Sequence, residues 1–494
     1  MIKQITPERA GISSEKVLRL LKNLESYEMP IHSILMSRGD DIYAESYFAP
    51  FHDKFLHRMY SVSKSFVAMA VGAAVTEGLF TLDDVIIDHL PEYKNHQSDQ
   101  FQAECTVRDM LMMKSNIGTG VAWWGSFPSR AEAYYSMATS KVPGTAFYYD
   151  SIGSFLLGCM IEKLTGKTFL AYLKEKVLSH IGFSAESYTL IEPGGYTVGD
   201  SGVMCTTRDL WLFARFIMKK GEWNGKQYID RSFMEDAVSF LGFNHFNTGI
   251  KRCQTGGYGY LIWKTHEDGF SLIGMGDQLA ICDLKRDLCF VITADNQGNE
   301  NASRDLIFHE YYKHFIEEVA DEALPENDET YGRLAEYLSS RKLVCQTGRK
   351  KTSFTDKVNG VTYVARENPL GVKDFTLRLG DEEGTLSLTF ADKTAVFDFG
   401  LCANKQTTFS YGTRAKADRM GEYVEGAYNA AISGAWVEEH SFMIKAHVID
   451  TYFGAACAFL DFKGDRATLY LTRSGQYVFE GMTGYVIGEA QKKD

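Results

Sequence analysis

The chain offers no apolar h-region in Met1–Lys16, so no secretory signal is expected. Its main apolar stretch in the N-terminal third, Phe66–Val75, is broken by Gly72. It falls well short of the ~20 apolar residues that a spanning helix needs. Basic residues are outnumbered, 52 Lys+Arg against 64 Asp+Glu, for a formal net charge of −12. Such a surface attracts neither nucleic acid nor an anionic membrane, so neither is expected as a partner. None of the nine cysteines forms a Cys-x-x-Cys pair, and their number is odd. With no export signal, reduced thiols and a cytoplasmic location are expected. His266, His309 and His314 lack metal-ligand spacing, and neither a phosphate loop nor a dinucleotide fingerprint occurs. No metal or organic cofactor is therefore expected. A Gly-x-Ser-x-Gly elbow is also missing, which excludes one large class of serine enzymes.

What remains is a globular composition, with 45% hydrophobic residues over 494 positions. At about 150 residues per domain the length suggests two to four units. Residues 15–28 carry helical spacing, with Ser13 or Ser14 as cap. Ser13–Lys16 there reads as a capped amphipathic helix with Lys16 in water. Residues 32–37 and 42–48 flank Arg38-Gly39-Asp40-Asp41, a hairpin turn. Residues 61–79 read as a buried helix, and 106–113, 151–173 and 206–219 as further helices. Residues 258–265, 270–274, 278–284 and 288–294 read as successive strands, followed by a helix near 301–319. Helices, then strands, then a helix predict an α+β unit with an antiparallel sheet and a helical insert. The acidic stretch 321–330 reads as a linker. Beyond a helix at 331–342, alternating segments such as 375–379, 385–390, 441–449, 457–462 and 467–472 predict a small antiparallel barrel or sandwich.

Chemistry concentrates at Tyr60-Ser61-Val62-Ser63-Lys64-Ser65. A serine at the first turn of a buried helix lies near free backbone N–H groups and the positive helix end. Lys64, three residues on, shares its face. Held there and partly desolvated, an amine can take the serine proton. About two Ser-x-x-Lys matches are expected by chance in such a chain. An apolar helix, however, has no structural need of a lysine in its first turn.

Residues 143–158, Pro-Gly-Thr-Ala-Phe-Tyr-Tyr-Asp-Ser-Ile-Gly-Ser-Phe-Leu-Leu-Gly, extend the pattern. Together with Ser61-x-x-Lys64 they resemble the serine β-lactamase, DD-peptidase and esterase superfamily. The likeness is strongest to the class C β-lactamase branch, near aminohexanoate-oligomer hydrolases and carboxylesterases. Residues 54–92, with Glu77-Gly78-Leu79-Phe80-Thr81-Leu82-Asp83-Asp84, residues 106–118 and residues 202–223 are similar to further segments of it, in the expected order. The resemblance covers about residues 1–316. It implies a β-lactamase/transpeptidase-like domain over 1–325. An all-β domain over 326–494 would follow it, a lipocalin-like barrel being one form.

It also implies site roles. Tyr149 matches the Tyr-x-Asn tyrosine, and a phenol beside an ammonium can shuttle a proton to a leaving group. Ser151 stands where the family has asparagine. In the third motif, Gly274-Met275-Gly276-Asp277-Gln278, Met275 replaces a lysine or histidine and Asp277 a glycine. The missing cation disfavours β-lactam or peptide carboxylates. The oxyanion hole would be the backbone N–H groups of Ser61 and Gln278. Ser151, Met275, Gly276 and the loop residues Trp123 and Trp124 are candidates for substrate contact. The expected activity is hydrolysis of small esters or amides through a Ser61 acyl-enzyme. β-Lactamase or D-amino-acid peptidase activity is one alternative, and an acyl-binding sensor without turnover is another. A homo-oligomer is compatible with this reading. Gly199-Asp200-Ser201-Gly202 echoes other serine hydrolases, but reads as a turn before the next helix.

Overall fold

A computed structural model describes residues 3–96, 100–118, 128–245, 252–475 and 478–491. The chain divides into two compact units. The first comprises residues 1–48, 52–341 and 418–420; the second comprises 49–51, 342–417 and 421–494. The acidic stretch and the helix after it belong to the first unit. No regular element occupies 319–327, and the helix runs from Asp328 to Ser339, capped by Asn327.

The first unit is built on a seven-stranded sheet. Its order is Lys3–Gln4, Asp41–Tyr47, Ile31–Arg38, Leu288–Ala294, Gln278–Asp283, Gly269–Gly274 and Trp263–His266. All pairings are antiparallel except that of Lys3–Gln4 with Asp41–Tyr47. The three strands between Gly269 and Ala294 are buried at every residue. Continuous apolar runs there, rather than alternation, mark strands covered on both faces. The helix Thr207–Met218 packs on the strands Ile31–Arg38, Gln278–Asp283 and Leu288–Ala294.

Residues 258–265 are not one strand. Gly257 at φ 110° and Leu261 at φ 54° break the extended backbone, so pairing begins at Trp263. Residues 151–173 form two helices, because Gly166 at φ 68° ends Ser151–Thr165 and Thr168 caps Phe169–Leu173. The helix after the last strand is regular over Glu300–His309 and widens into a π turn at Glu310–Phe315. Lys16 does not point to water. It is 5% exposed, with Nζ 3.0 Å from Glu318 and over the Phe315 ring. The chain's return past residue 315 covers this face of the helix Ser14–Ser26. Burial lowers the Lys16 pKa, and Glu318 only partly offsets it.

The helix Ser63–Thr76 is buried all round and packs against Ser151–Thr165 and Phe169–Leu173. Glycine at position 72 permits the close approach of another helix. A Cβ there would lie 2.6 Å from the Phe233 ring. Gly72→Ala should therefore lower stability by about 1–3 kcal/mol despite its better helix propensity. A urea melt showing equal or higher stability would contradict this packing.

The second unit is a closed nine-stranded barrel, from Thr362–Ala365 through Gly484–Ala490. It closes where Gly400 and Leu401 pair in parallel with Ser433 and Gly434. Lys405–Ala415 adds a hairpin strand to Tyr423–Trp436. Inward residues alternate along its strands, as Ala456, Ala458, Leu460 and Phe462 do. The Lys463-Gly464-Asp465 turn links Ala455–Lys463 to Arg466–Ser474, in line with the expected β architecture.

Candidate active site

Ser61 lies one step earlier than the sequence suggests, in a 3-10 turn over Tyr60–Val62 that precedes the α-helix. Tyr60 has φ 46°, a left-handed backbone uncommon for a bulky residue and concentrated at functional sites. Its strain is held by burial and by the Arg58 guanidinium, 4.6 Å from the ring centroid.

Lys64 is 1% exposed. Its Nζ donates to Ser61 Oγ at 2.9 Å and to the Asp200 carbonyl at 2.8 Å. The Tyr149 ring centroid is 5.0 Å from the same nitrogen. Serine, lysine and phenol thus converge from a turn, a helix start and the segment ahead of a second helix. Tyr149 is held by stacking on Trp263, with centroids 5.3 Å apart, and by an edge contact with Tyr258. The next residue, Asp150, caps the helix Ser151–Thr165 through Ile152 N and accepts from Ser115 Oγ at 2.9 Å. Burial raises its carboxyl pKa, although these hydrogen bonds oppose the rise. Ser151 occupies the first position of that helix. Asn116 is buried and accepts from the Tyr134 hydroxyl at 2.9 Å.

The turn Gly199–Gly202 reaches the same cluster, where the Asp200 carbonyl meets Lys64. Asp200 and Arg130 form a bidentate pair at 2.6 and 2.9 Å, with both side chains fully buried. Burial pushes the Asp200 carboxyl up, but the charge and hydrogen bonds of Arg130 outweigh it. With Lys64 adding, its pKa lies below the usual value. Arg58 Nε donates to the Ser201 carbonyl at 3.0 Å, and Val203 N donates to Ser63 Oγ at 3.0 Å. Sequence reasoning missed Arg130, Asp200 and Arg58. Arg130 and Asp200 are far apart in the chain and become neighbours only on folding.

Met275 and Gly276 form the turn between Gly269–Gly274 and Gln278–Asp283, and Gln278 opens the second strand. Both strands pack against the turn that carries Ser61. The Gln278 side-chain nitrogen donates to the Met275 and Ala294 carbonyls. Trp123 and Trp124 lie outside the described residues. Among the described residues no group of His, Cys, Asp and Glu has metal-binding geometry. His309 and His314 pack edge to face, and His266 stacks on Tyr312.

Sheet, helical insert and the Ser–Lys–Tyr cluster define a penicillin-recognising type of fold. The chain belongs to the β-lactamase family, whose model, described as Beta-lactamase, matches residues 19–310, more than half of its length. It is similar to the 6-aminohexanoate-dimer hydrolase of Paenarthrobacter ureafaciens, 23% identical over 252 residues, or 47% of this chain and 64% of that protein. It is also similar to esterase EstB of Burkholderia gladioli, 25% identical over 171 residues, or 30% of this chain and 42% of that protein. The chain thus spans less than two thirds of these curated relatives. The crystal structure of SurE is alike in fold, with TM-score 0.50 at 14% identity, covering 88% of this chain and 95% of that one. No helix among the described residues is long and apolar enough to cross a membrane.

Proposed function

We propose that this protein hydrolyses small esters or amides through an acyl-enzyme on Ser61. The observation that carries the reading is the 2.9 Å contact from the buried Lys64 Nζ to Ser61 Oγ. As the neutral amine, Lys64 takes the serine proton while Oγ bonds to the substrate carbonyl carbon. The backbone N–H groups of Ser61 and Gln278 receive the oxyanion. The proton passes from Lys64 through the Tyr149 hydroxyl to the leaving oxygen or nitrogen as its bond to carbon breaks. Water then attacks the acyl-enzyme, giving up a proton along the same route, and free acid and Ser61 are released. Small neutral substrates suit the site better than β-lactams, because Met275 offers no cation to a carboxylate. All nine cysteines are free, which supports a cytoplasmic setting.

The test is reaction with a fluorophosphonate and with a 4-nitrophenyl ester. Peptide mapping should find the adduct on Ser61, and Ser61→Ala should lose both adduct and turnover. Labelling without turnover would favour an acyl-binding sensor. Turnover that survives Ser61→Ala would sink the proposal.

A further inference from the structure

The turn that closes the hairpin beside Ser61 contains an acid in an unusual place. Asp277 sits at φ 69°, a left-handed conformation that asparagine and aspartate tolerate better than most residues. Its side chain is fully buried and points into the protein. One oxygen accepts from Arg304 Nε at 2.8 Å. The other accepts from Ser303 Oγ at 2.6 Å and Asn296 Nδ2 at 2.8 Å. Arg304 also donates through a terminal nitrogen to the Gly274 carbonyl at 3.0 Å, so one guanidinium grips both ends of the turn. Asn296 N donates to the Gly276 carbonyl at 3.1 Å.

We infer that Asp277 is a positioning residue. With Arg304, Ser303 and Asn296 it clamps the Gly274–Gln278 turn, and so fixes the backbone N–H offered to the reacting oxyanion. This rests on the acyl-transfer reading above. Three donors already engage the carboxylate, and no solvent reaches it. A direct role as acid, base or cation ligand is therefore a poor fit. The clamp has a mechanical consequence at the site. Gly274 lies so close to the chain preceding Ser61 that a Cβ there would fall 2.3 Å from the Met59 carbonyl. Any relaxation of the turn therefore changes its spacing from the Ser61 turn. An oxyanion donor moved by about 1 Å costs on the order of 100-fold in rate.

The test measures 4-nitrophenyl ester kinetics per titrated active site, well below each variant's melting temperature. Asp277→Ala and Arg304→Met should lower kcat by about 30- to 100-fold, with KM within about threefold. Their fluorophosphonate labelling of Ser61 should slow in parallel. Arg304→Lys, which keeps the charge and one donor, should recover part of the loss. A purely structural role would lower the melting temperature and leave kcat per active site unchanged. Should the large variants not fold, Ser303→Ala removes a single clamp donor, and a loss of about three- to tenfold in kcat is expected. Folded variants with wild-type kcat would overturn the clamp. A wild-type protein that acquires no adduct on Ser61 would instead overturn the parent reading, and the clamp's catalytic role with it.

Discussion

Lys64→Met should lower kcat/KM for a nitrophenyl ester by about 10³–10⁴-fold, equivalent to ~4–5.5 kcal/mol of transition-state stabilisation. The size follows from what the amine touches. It contacts Ser61 Oγ at 2.9 Å, is anchored on the Asp200 carbonyl at 2.8 Å and lies beside the Tyr149 ring. Methionine is unbranched and of similar length, so it fills the space without offering a proton acceptor. Removing a buried amine relieves its desolvation cost but leaves the Asp200 carbonyl without its donor, so the melting temperature should change little. Loss of activity with retained stability separates a chemical role from a packing one. A variant within tenfold of wild type would show that Ser61 is activated by another group.

Part of this cluster's geometry was legible before folding was considered. Ser61 and Lys64 are three residues apart, and such a pair must share a face wherever the backbone turns helically. Tyr149 was legible because its surrounding segment resembles a known one, not because its own position demanded chemistry. The sheet was legible where apolar runs were continuous, as from Leu288 to Ala294. It was misread at 258–262, where positive φ at Gly257 and Leu261 bends a segment whose composition suggests a strand. Local reasoning also put Lys16 in water, because only the returning chain near Phe315 and Glu318 covers that face. Asp277 looked like a flaw in a motif. The compensating Arg304 stands on a helix two strands further along the chain, and nothing local ties the two together. The same holds for Asp200, whose sequence context signals only a turn, and for Arg130, which no local motif marks.

That last pair carries the largest stability effect expected of a single replacement. Arg130→Met leaves the Asp200 carboxylate buried without its partner, and breaking such a pair costs about 3–5 kcal/mol. Replacing both, as Arg130→Met with Asp200→Asn, should recover much of the loss, because no charge then remains stranded. The pH dependence gives an independent check. In the wild type the carboxyl is depressed below its ordinary value of 3.8. Its contribution is thus complete above that value and is lost as pH falls through the lower, folded one. In Arg130→Met, burial is opposed only by Lys64 and a backbone hydrogen bond, so the carboxyl titrates higher than in the wild type, and acid neutralises it and relieves the strain. The stability gap between wild type and variant should therefore be widest near pH 7 and shrink toward pH 4 in urea titrations. Activity should fall as well, since the Asp200 carbonyl that anchors Lys64 would lose its support. A gap that stays constant with pH would show that the lost stability comes from Arg130 packing against Phe155 rather than from its charge.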